Sequence, residues 1–216
     1  MRIFTLITSL IFSLSLYPQT IKDTSVEYFI KARKSEQKKE YDAALYYYQK
    51  AAESDPSNYD IYEFWVELLD DLGEVNPIYY FETGKVYTRM IELKPDNPIN
   101  YNDWGCCLLR LSKHTNNLNI YKSKIESLFF KAEELSDQLG AYNLACLYSL
   151  LNKKDEAFKW LTILLSKDYK LKERRITRNL ILNDPDFSNI RNERKYKEIL
   201  DNYFPEKDGS TPLSPI

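Results

Sequence analysis

The sequence predicts an all-α protein built from a run of helix pairs, and three observations predict it. From Ser25 onward the apolar residues recur at helical spacing. Proline falls between those segments and not inside them, as at Pro56 and Pro95. There are only five glycines in 216 residues, against a usual ~7%. That is too few for the tight turns of a β-sandwich or for a glycine-rich phosphate loop. A chain of this length fits one or two domains and can bury a real core. Its 44% apolar and 29% charged residues fit a folded soluble protein and exclude a mostly disordered one. With 30 Lys+Arg against 32 Asp+Glu and a formal charge of −2, nothing points to nucleic acid.

The first element is an address. Arg2 precedes an uncharged apolar run from Ile3 to Leu16, after which Tyr17-Pro18-Gln19 turns polar. A positive start, an apolar core of about 14 residues and a polar exit make a secretory signal. The run is shorter than the ~20 residues of a membrane span and is diluted by threonines and serines. Residues 1–20 are therefore assigned as a signal with cleavage after Ser15 or near Gln19. The protein is expected to be exported, with membrane contact only if that segment is kept.

Next come the repeats. Tyr41-Asp42-Ala43-Ala44-Leu45-Tyr46-Tyr47-Tyr48-Gln49-Lys50-Ala51 runs to a stop at Asp55-Pro56. Phe81 to Leu93 ends the same way at Lys94-Pro95. Tyr101-Asn102-Asp103-Trp104-Gly105-Cys106-Cys107-Leu108 and Tyr142-Asn143-Leu144-Ala145-Cys146-Leu147-Tyr148 are two versions of an opening helix. This pattern resembles the tetratricopeptide repeat, a unit of two antiparallel helices in ~34 residues. The likeness is best in Leu144, Ala145, Tyr148, Ala157, Leu161 and Leu164, and poorest in the second unit around Tyr62 and Met90. Small residues such as Ala32, Ala44, Gly105, Ala145 and Ala157 let paired helices approach, and large ones fill the gap to the next pair. The expected architecture is a right-handed α-solenoid of about four pairs over residues 21–169. Residues 170–203 form a divergent helical cap, and 204–216 form a disordered tail. The stretches 74–77 and 114–119 carry extra residues that lengthen a helix or bulge from one face.

The resemblance also implies a binding groove lined by the first helix of each pair. Carried over position by position, it places Phe29 and Arg33, then Glu63, Glu67 and Asp70, then Asn102, Cys106 and Arg110, and last Tyr142 and Cys146 on that face. The acids of the second unit favour a basic segment of a protein or peptide partner. Cys106 and Cys146 share one offset in neighbouring units, so a disulfide between them is conceivable, beside the plainer reading of buried thiols.

Catalysis finds little support. The single histidine, His114, falls in a polar turn without a nucleophile motif. The neighbouring carboxylates Asp70-Asp71, Glu133-Glu134 and Asp155-Glu156 read as solvated helix faces. No metal or cofactor motif is present. Charge is unevenly spread: nine acids and no Lys or Arg lie between Ala51 and Gly84, while Lys153–Lys197 holds thirteen basic residues and seven acids. The expectation is a non-catalytic binding scaffold. The alternative is a structural subunit that self-associates through its acidic middle and basic cap.

Overall fold

The computed structural model describes residues 24–135, 138–167 and 176–205, and all regular structure among them is helical. The expected signal, residues 1–20, and residues 206–216 of the expected tail lie outside the described residues. The chain divides into two compact units, one ending at Pro95 and one starting at Asp96.

The first unit holds two helix pairs. Helix α1 covers residues 24–37 and pairs with α2 (Tyr41–Ser54); α3 (Tyr59–Val75) pairs with α4 (Ile78–Leu93). Ala32, Ala44 and Ala51 have no exposed surface, so the first pair packs backbone to backbone as their small side chains demand. Tyr48, Leu69 and Tyr80 are fully buried large residues. Gly73 admits the Tyr80 ring, whose edge would lie 2.5 Å from any Cβ there. Asn58 caps α3 by accepting from the Asp60 N–H. Arg89 on α4 donates twice to the Pro56 carbonyl, at 3.2 and 3.1 Å, and so fixes the turn between the two pairs.

The second unit holds α5 (Pro98–His114) with α6 (Leu118–Glu134), and α7 (Gln138–Leu150) with α8 (Lys154–Ser166). A short helix α9 (Arg178–Asn183), a 3₁₀ turn (Pro185–Phe187) and α10 (Arg194–Tyr203) follow. The 3₁₀ turn packs on α7, and α10 packs on α8. One core runs from Ile125 and Phe129 through Leu144, Leu147 and Leu161 to Phe187, Tyr196 and Leu200. Phe204 also packs on it. The fold class is the expected one, all-α with four helix pairs and a divergent helical cap.

Three pairs close with one turn geometry. Lys39, Asn116 and Asn152 take positive φ of 62°, 50° and 55°. The following N–H reaches back five residues each time: Glu40 to Ser35 (2.9 Å), Asn117 to Ser112 (2.9 Å) and Lys153 to Tyr148 (2.8 Å). This left-handed cap satisfies carbonyls that the helix end leaves open. The extra residues near 74–77 and 114–119 have gone into the helices. Helices α3, α5 and α6 have 17 residues each, against 13 for α7 and α8.

Candidate functional site

In the first unit α1 and α3 bring an aromatic floor and a row of charges together. Phe29 packs against Tyr48 and Phe64, with ring centroids 6.1 and 5.4 Å apart. The Arg33 guanidinium lies 4.3 Å from the Phe64 ring centre, where the ring's negative face attracts it. It also donates to Glu36 at 2.8 Å and to the Tyr48 hydroxyl at 3.3 Å, and that hydroxyl donates to Glu36 at 2.6 Å. Burial and then the Glu36 hydrogen bond push the Tyr48 phenol well above its ordinary range, so it stays protonated.

Beside this fixed node, Glu63 and Glu67 stand exposed on α3, with Asp70 half-buried one turn on. The Glu67 carboxyl is raised, first by desolvation and then by the neighbouring Glu63 charge, with Arg33 opposing. On this face the Glu63, Glu67 and Asp70 carboxyl groups follow one another on α3. A cationic group arriving there relieves that strain.

The second unit treats its corresponding residues differently. Asn102 is buried and accepts from Asn143 at 2.7 Å. The same Asn143 amide donates to the Cys106 sulfur at 3.3 Å. Arg110 is half-buried. Tyr142 and Cys146 are buried beneath the chain's own segment 184–187. Tyr142 donates to Asp184 at 2.5 Å and packs edge-on against Phe187, with centroids 5.7 Å apart. The Cys146 thiol points at the same carboxylate, 3.9 Å away. The groove side chains expected on α7 are therefore occupied intramolecularly.

The cysteines are free thiols in this structure, so the conceivable Cys106–Cys146 bridge is not formed. Burial and the nearby Asp184 and Asp186 charges raise the Cys146 thiol, which keeps it protonated and poorly reactive. Cys146, Asp184 and Asp186 present donor atoms within 4.8 Å of one another. Asp186 is bound at 2.7 and 2.9 Å by Lys113, and the Asp184 side chain accepts from the Asp186 N–H at 2.8 Å. These bonds make the cluster a clamp that seats the 3₁₀ turn. Exposed His114 is the last residue of α5. Glu133 pairs with Lys167, Glu134 with Lys131, Glu156 with Lys153 and Asp155 with Lys195, an arrangement of structural ion pairs.

No protein-family model matches the chain, and no curated protein matches it. Among solved structures, a crystal structure of the MamA protein is similar, with a TM-score of 0.54 and 17% identity over 67% of this chain and 73% of that one. The fold is a tetratricopeptide-type array of helix pairs. At this identity the likeness carries the fold alone.

Within that array α1, α3, α5 and α7 are the first helices of their pairs, and all ten groove positions named from the sequence lie on them. They divide by unit: Phe29, Arg33, Glu63, Glu67 and Asp70 in the first, the other five in the second. Sequence reasoning missed Glu36, Tyr48 and Phe64, which fix Arg33, and Asp184 and Phe187, which fill the α7 face. The i, i+3 spacing of Arg33 and Glu36 was a readable signal. No local pattern announced the docking of 184–187.

Proposed function

We propose that the protein is an exported, non-catalytic scaffold that binds a basic segment of a protein partner on the α1–α3 face of its first unit. The observation that carries this reading is the contrast between the two units. On α3 the groove acids Glu63 and Glu67 stay exposed beside an aromatic floor. On α7 the matching side chains are covered by the chain's own Asp184 and Phe187. An extended or helical segment bearing Lys or Arg gains charge pairing from the acids and contact area from Phe29 and Phe64. Export rests on the apolar leader over residues 3–16, and an intact-mass measurement of the protein outside the cytoplasm tests it. Loss of the first 15 to 19 residues is the expected result.

The binding reading is tested by titrating a fluorescein-labelled Lys-rich peptide into the wild type and into the Glu63→Gln, Glu67→Gln double variant at low salt. The account expects about a tenfold weaker complex for the variant, roughly 1.4 kcal/mol, and weakening of both complexes as salt rises. Equal affinity for the two proteins removes the acidic face from the function.

A further inference from the structure

The outer face of α1 is a charged stripe with apolar flanks, continued by Lys38 in the turn that follows. Glu27, Lys31, Lys34 and Lys38 follow one another at i, i+4, i+7 and i+11, and all four are exposed. Val26 and Ile30 beside them are 52% and 46% exposed. Lys31 lies over the Tyr28 and Tyr47 rings, 5.4 and 6.0 Å from their centres. Among the described residues Lys34 and Lys38 have no carboxylate partner.

The α3 acids follow the same offsets. Glu63, Glu67, Asp70 and Glu74 also stand at i, i+4, i+7 and i+11. Two helical rows of equal spacing, each about 16 Å long at 1.5 Å per residue, can lie side by side in register. Antiparallel, they set Lys38 against Glu63, Lys34 against Glu67 and Lys31 against Asp70. Only Glu27 opposite Glu74 is a like-charge pair.

Part of the basic cap is paired internally among the described residues. Arg178 pairs with Asp201, Arg194 with Glu198, Lys154 with Glu193 and Lys167 with Glu133. The lysines that stand at the acids' own spacing are those of the α1 row.

We propose that the partner of the acidic α3 face is a second copy of this chain, which presents the lysine row and the Val26–Ile30 edge of its α1. This deepens the binding reading above and rests on it. The two surfaces differ, so the contact closes as a reciprocal two-fold pair or runs head-to-tail into rings or open chains.

Sedimentation velocity of the exported protein tests the contact. At about 20 mM salt the wild type is expected to run at twice the monomer mass or more, and at 0.5 M salt as a monomer. The Glu63→Gln, Glu67→Gln variant and the Lys31→Gln, Lys34→Gln variant should each be folded monomers at low salt, as helical circular dichroism can verify. Mixed one to one, they retain one intact contact and should form a dimer and nothing larger. A monomeric wild type at low salt overturns the proposal. Oligomers that survive either double substitution overturn it too. If the wild type is monomeric yet the Lys-rich peptide still depends on Glu63 and Glu67, only the self-contact fails. If the peptide also ignores those residues, the binding face itself fails.

Discussion

Gly140 shows how little room the second unit leaves between α6 and α7. A Cβ there would meet the Glu133 backbone nitrogen at 2.6 Å and the Phe129 carbonyl oxygen at 2.9 Å. At Gly105 the obstacle is a side chain, the Phe129 ring edge at 2.4 Å. Gly140→Ala should therefore cost about 3 kcal/mol in urea unfolding, and Gly105→Ala less, because a ring can shift where backbone cannot. Gly105 was legible as a close-approach residue from its place in an opening helix. Gly140 was not, since it lies just ahead of the segment whose repetition revealed the pattern. Two titrations carry signs at this scale. Burial pushes the Tyr196 phenol from 10.0 up to about 12, while its hydroxyl donates to the Ile181 carbonyl at 2.9 Å. Its neutral form belongs to the fold, so that contribution is complete below pH 10 and is lost as pH rises through about 12. Tyr196→Phe removes this titration, so the variant should lose less stability than the wild type between pH 10 and 12, as alkaline unfolding followed by circular dichroism can check. Glu67 is also raised, so its favourable contribution belongs to the protonated form and fades as pH climbs through its folded pKa. Glu67→Gln should leave thermal stability at pH 7 equal or higher while it weakens partner binding.

Helices and their ends were the most readable elements. Pro56 and Pro95 marked stops, and the small residues marked the packed faces, because both signals are local. The surplus residues near 74–77 and 114–119 did not reveal whether they sit in helix or loop, since both satisfy the same apolar spacing. The helix bounds decide that question, since α3 runs to Val75 and α5 to His114, and the turn shared by the other three pairs exposes a flaw at Lys39. A non-glycine residue with φ of 62° is held in a region that costs an L-residue about 1–2 kcal/mol. Lys39→Gly should raise stability by about 1 kcal/mol, and Asn116→Gly by less, because asparagine tolerates that region better. The 3₁₀ turn was invisible for a different reason: its place is set by tertiary contacts of Phe187 with Tyr142 and Tyr196. Phe187→Ala should cost about 3–5 kcal/mol. It should also let a thiol reagent reach Cys146, which is 2% exposed in the native fold, and timed thiol labelling reads both effects.

A net charge of −2 conceals an uneven charge distribution along the chain. The acids between Ala51 and Gly84 were plain in the sequence, and so was the basic excess after Lys153. Which charges remain available was not, because ion pairs such as Arg178–Asp201 join residues far apart in the chain. The positions expected in the groove lie on first helices, and among them Glu63 and Glu67 are exposed while Tyr142 and Cys146 are buried. Replacing Glu63 with a photoreactive amino acid, and Tyr203 of the second unit as a control, asks the central question directly in cells that make the protein. The account predicts a covalent adduct with a protein from position 63, carried on a lysine-bearing segment, and none from position 203. Silence at position 63, with adducts formed only through the second unit, would contradict it.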